Sequence, residues 1–68
     1  MTAAEALEWI IQKRGTARAA ARELDVLPSV LSNWRARGVS APGTIAIWFE
    51  ANRLGARLPK EFLLQAIS

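Results

Sequence analysis

The chain has 68 residues, room for one domain, and contains neither cysteine nor histidine, which excludes a disulfide framework, a zinc site of Cys/His type and Cys- or His-based catalysis. Hydrophobic residues make up 51% of it, 13 of them alanine, and no apolar run approaches about 18 residues, so the composition leans all-α and excludes a transmembrane helix. The net charge is +3, and only Lys13 and Lys60 among the basic residues are not arginine.

Thr2-Ala3-Ala4-Glu5 has the form of a capping box, and Leu7, Ile10 and Ile11 follow at helical spacing. The first helix is expected over residues 3–13, stopped by Gly15, with Trp9 off its apolar stripe. Thr16 caps a second helix through Leu24, with Ala20, Ala21 and Leu24 inward; Asp25, a residue that tolerates a left-handed backbone, breaks it. Pro28 suits the first turn of a third helix that runs to Arg37 and stops at Gly38. Pro42 opens a fourth helix ending before Gly55, and Leu58-Pro59 opens a short fifth one ending near Ile67. No repeat, low-complexity stretch or strand interrupts this pattern. The expected fold is a compact five-helix bundle, one domain over residues 1–68.

The basic excess sits in the middle of the chain. Residues 14–38 carry +3, against −1 for residues 1–13 and +1 for residues 39–68. At about 100° per residue, Val30, Leu31 and Trp34 share one face of the third helix, and Ser29, Ser32, Asn33 and Ala36 share the opposite one. Arg35 and Arg37 flank them. Small polar groups between arginines suit a helix in a DNA major groove, where polar side chains reach base edges and arginines reach phosphates.

Residues 17–38, ARAAARELDVLPSVLSNWRARG, resemble the helix-turn-helix of phage Cro-type repressors. The family's small residue four before the turn is here Ala21, and its Leu before the turn is Leu24. Asp25 stands where the family usually has Gly, and Val26 follows as the branched apolar residue. Leu31 and Trp34 are the buried pair, within a Leu31-Ser32-Asn33-Trp34 stretch similar to the family's apolar-Ser-x-Trp. Leu7, Ile10, Ile11 and Gly15 match its first helix, and Gly55-Ala56-Arg57-Leu58 its last link, so the likeness covers about residues 7–63. Leu27 stands where Ser or Thr usually caps the recognition helix.

The resemblance implies a sequence-specific double-stranded DNA-binding regulator, a repressor that acts by occupying a promoter. Leu27, Pro28, Ser29, Ser32 and Asn33 then contact bases, with Asn33 able to pair bidentately with adenine and Leu27 able to meet a thymine methyl group. Thr16, Ala17, Arg18, Arg35 and Arg37 contact phosphates. No cofactor and no metal are expected, and no catalytic pair of carboxylates is evident. Met1-Thr2-Ala3-Ala4-Glu5 lacks the basic start of a signal peptide, so a cytoplasmic place is expected.

The fourth helix has a wide apolar arc. Ile45, Trp48 and Phe49 lie on one side, Ile47, Ala51 and Leu54 on another, leaving Ala46, Glu50 and Arg53 as a narrow strip. That exceeds the ~100° stripe of a surface helix. Phe62, Leu63, Ala66 and Ile67 of the fifth helix cover part of it, and Leu64 points elsewhere. A homodimer with Ile47, Trp48, Phe49 and Leu64 at its interface is expected to bury the rest, placing two recognition helices on a pseudo-palindromic operator with half-sites about one helical turn apart. The competing function is a helical protein-interaction module such as an antitoxin. Such a module is expected to show large apolar residues where the third helix has Ser, Ser and Asn. A phage excisionase is expected to bring a strand-like wing, which this sequence lacks.

Overall fold

Three of the four α-helices start where a side chain satisfies an amide that the first turn leaves free. Thr2 caps α1 (Ala3–Arg14). Its hydroxyl accepts from the Glu5 amide at 3.1 Å, and the Glu5 carboxylate accepts from the Thr2 amide at 2.8 Å. Those bonds from Thr2 hold the Glu5 carboxyl below its ordinary range. Thr16 caps α2 (Ala17–Glu23) by accepting from the Ala19 amide. α3 (Pro28–Arg37) begins after Leu27 with no side-chain cap; Pro28 fills its first position, where no N–H is missed. α4 (Ala41–Arg53) begins one residue before Pro42, because the Ser40 hydroxyl accepts from the Gly43 amide at 3.1 Å. The computed structural model describes residues 1–67, and these four helices and a 3₁₀ helix (Lys60–Ala66) are its elements; no strand occurs among the described residues.

The helix ends explain how the chain turns. After α2, the Val26 amide donates to the Ala21 carbonyl and the Asp25 amide to that of Arg22, with Asp25 at φ +58°. This is a Schellman end built on aspartate, one of the few side chains that accept the left-handed region. α4 ends in the same way, with Gly55 at φ +102°. The link that follows is pinned to α4. The Trp48 indole N–H donates to the carbonyls of Leu58 and Pro59, and the Asn52 amide exchanges hydrogen bonds with the Leu58 backbone. The short fifth helix expected to end near Ile67 is a 3₁₀ helix ending at Ala66, anchored by the buried Phe62. Gln65 ties it to the chain start, accepting from the Ala3 amide at 2.7 Å and donating to the Met1 carbonyl.

The core draws on every element. Ala6, Leu7 and Ile10 come from α1, and Ala20 and Ala21 from α2, whose C-cap Leu24 joins them. Leu31 and Trp34 come from α3, Ile47 and Ala51 from α4, and Leu58 and Phe62 from the C-terminal segment. The alanines let helix axes approach closely, and Trp34 lies against Gly43, the one residue type without a side chain to displace it. Two expectations on these faces change. Ile11 is only partly buried, and Val30 leaves the Leu31/Trp34 face for the surface, at 36% exposure.

Glu50 also departs from expectation. It lies buried on the inward face of α4, beside Ile47 and Ala51, and not on a polar surface strip. Arg53 donates to it at 2.8 Å and Arg14 at 3.2 Å; the same two arginines pair with Glu23 at 2.9 and 3.5 Å. The C-terminal ends of α1, α2 and α4 are thereby joined by one alternating charge cluster. The hydrogen bond from Arg53, more than that from Arg14, holds the Glu50 carboxyl below its ordinary range against the opposing effect of burial.

Candidate nucleic-acid interface

The inward pair Leu31 and Trp34 decides which side of α3 faces out. With both buried, Ser29, Ser32, Asn33 and Ala36 are all exposed. Ser29, Ser32 and Asn33 make no side-chain hydrogen bond among the described residues, so their polar atoms are free for a ligand. Leu27, ahead of α3, is 68% exposed and packs on nothing in its own domain's core. Pro28 is likewise exposed.

The expected phosphate-contacting residues separate into two groups. Thr16, Arg18 and Arg37 are exposed, and Ala17 is half-buried. The Thr16 oxygen already serves as the α2 cap, which leaves its O–H free to donate. Arg18 and Arg37 make no ion pair among the described residues. Arg35 is different. Its Nε donates to Glu8 at 2.8 Å and its Nη2 at 3.0 Å, a bidentate pair between α3 and α1. Both side chains are about half exposed, so the pair adds at most ~1 kcal/mol to stability. It does occupy Arg35: Nη1 remains to donate, but the adjacent carboxylate offsets the charge.

Arg22 escaped the sequence reading. It is exposed and unpaired, and it stands one turn after Arg18 on the same face of α2. The i,i+4 spacing was available as a signal; that both arginines lack acidic partners was not. Together with Ala21, Val26 and Pro28 they line an open groove of about 320 Å³ between α2 and the start of α3. No acidic residue lines it.

The expected dimer residues also separate. Ile47 is fully buried and belongs to the core, so it is not available to a second chain. Its side of α4 is the one that α1 and the C-terminal segment cover. Trp48 is half-buried and held by the bonds to Leu58 and Pro59. Phe49 is 65% exposed and stands edge-on to Trp48 at 5.1 Å, and Leu64 is 61% exposed. Ile45, one turn before Phe49, is exposed on the same face. Ile67, expected to cover α4, points to solvent instead.

Trp9 packs partly on the core and receives the Lys13 ammonium over its ring at 5.3 Å. No helix among the described residues is long and apolar enough to cross a membrane. Comparison with protein-family models, curated proteins and solved structures finds no match to this chain.

Proposed function

We propose that this chain is a sequence-specific double-stranded DNA-binding regulator of Cro type, in which α2, the turn at Asp25 and α3 act as a helix-turn-helix. One observation carries the reading: the face of α3 opposite Leu31 and Trp34 offers the small side chains Ser29, Ser32, Asn33 and Ala36, and Arg18, Arg22 and Arg37 are exposed with no ion pair among the described residues. A helix with that face fits a major groove without steric obstruction. Its short polar groups read base edges while the arginines neutralise phosphates.

In this reading Asn33 is the main specificity residue. Ser29 and Ser32 supply single hydrogen bonds, and Leu27 and Pro28 meet the groove wall or a thymine methyl group. Arg18 and Arg37 hold the backbone, with Thr16 and Ala17 near it, and Arg35 donates through Nη1 while still bridged to Glu8. Two copies, joined through exposed apolar residues such as Phe49 and Leu64, occupy a pseudo-palindromic site and repress by blocking it.

The test is selection of bound duplexes from a random pool, followed by titration of the enriched site at several salt concentrations. Enrichment of a defined sequence, bound with an affinity that falls steeply with salt, is expected. A pool that stays unenriched, or an affinity that does not respond to salt, overturns the proposal.

A further inference from the structure

Arg18 and Arg22 form a like-charge pair one turn apart on α2. Like charges at this spacing repel. Neither has an acidic partner among the described residues, although Arg14, Arg35 and Arg53 all do. The repulsion therefore stands uncompensated in the free protein. It borders the groove lined by Ala21, Val26 and Pro28, whose other lining residues are the two arginines themselves. The groove thus combines an apolar floor with two cations and holds no carboxylate. An anion with a compact apolar body complements it. A deoxyribose with its phosphodiester has that make-up: a ring of C–H groups beside one negative charge.

Resting on the DNA-binding reading of α3, we propose that this groove seats one sugar-phosphate unit of the duplex, with Arg18 and Arg22 both donating to its phosphate oxygens. The sugar lies on Val26 and Pro28. Because Pro28 is also the first residue of α3, a phosphate held here sets how far the start of α3 enters the groove. Arg22 is then a positioning residue for Ser29, Ser32 and Asn33 and carries no base preference of its own.

The experiment compares wild type with Arg22→Gln on the selected duplex. Arg22 is exposed and makes no ion pair among the described residues, so helicity is expected to stay unchanged and Tm to hold or rise slightly as the repulsion from Arg18 is removed. Affinity is expected to fall about tenfold for every sequence. The slope of log affinity against log salt becomes shallower, by no more than the ~0.9 of one phosphate on duplex DNA, since Arg18 still meets that phosphate. Base preference in a repeated selection stays the same. Duplexes carrying a single neutral methylphosphonate linkage then locate the contact. At one linkage the wild type loses more than Arg22→Gln does, and the variant loses less there than the wild type, because only its Arg18 contact is left to remove. A variant that binds with wild-type affinity and slope overturns this inference alone. A variant with an altered base preference overturns it as well, since Arg22 then reads sequence. A wild type that enriches no duplex overturns the DNA reading and this inference together.

Discussion

The indole of Trp34 lies so close to Gly43 that a methyl group at position 43 meets its ring carbon Cζ2 at 2.6 Å. Trp34 is the buried anchor of α3, and Gly43 sits in the first turn of α4, where its amide also completes the Ser40 cap. The orientation of α3 against the rest of the bundle depends on that absent side chain.

Gly43→Ala is accordingly expected to destabilise the fold although alanine is the better helix former. Overpacking costs about 1–3 kcal/mol, and the gain in helix propensity offsets about 1 kcal/mol of it. Thermal denaturation checks the sign. The double variant Trp34→Phe/Gly43→Ala should lose less than the sum of the single losses, because the smaller ring relieves the contact. Strict additivity would show that the two side chains do not meet.

Stability should fall in acid through Glu50. Its carboxyl is held below its ordinary value of 4.5 in the folded state by Arg53 and Arg14. The unfolded chain therefore takes up the proton at higher pH than the folded one. The contribution is fully present above the ordinary value and is lost as pH falls through the lowered one. Glu50→Gln is expected to cost about 1–3 kcal/mol at neutral pH. It should also flatten the acid limb of a stability-against-pH curve measured by urea unfolding. An acid limb identical to wild type would assign the dependence to other carboxylates.

Asn33→Ala should relax discrimination at one base position of the selected site, at a cost of about 1–3 kcal/mol there. Asn33 is exposed and bonded to nothing in the fold, so unfolding curves should be unchanged. Retention of the wild-type preference in a binding selection would remove Asn33 from the base readers.

Phe49→Glu and Ile47→Glu should behave differently although both residues lie on α4. Phe49 is largely exposed and Ile47 has no exposed surface. The charge at 49 is expected to leave helicity intact, give a monomer in sedimentation, and weaken binding to a two-half-site duplex about 100-fold while sparing a single half-site. The charge at 47 should unfold the chain, since an unpaired buried charge has no partner there. A wild type that is monomeric on the full site would end the dimer proposal.

Much of the architecture was legible because it is made locally. The Thr2–Glu5 box, the Thr16 cap, Pro28 at the start of α3 and the turn at Asp25 each involve residues at most five apart, and short-range chemistry can be read along a chain. The outward face of α3 was legible for the same reason, since periodicity says which residues share a face. It does not say which face another element will cover. That is why Ile47 and Phe49 looked alike in sequence and differ in the fold, and why Val30 emerged at the surface. Charge partners were hidden for a related reason. Arg35 meets Glu8 across 27 residues and Arg14 meets Glu50 across 36, distances over which composition carries no pairing information. Only the packing of α1 against α2 and α4, and the reach of Arg35 to Glu8, decided which arginines are spent inside the protein and which, Arg18 and Arg22 among them, remain free to meet a phosphate.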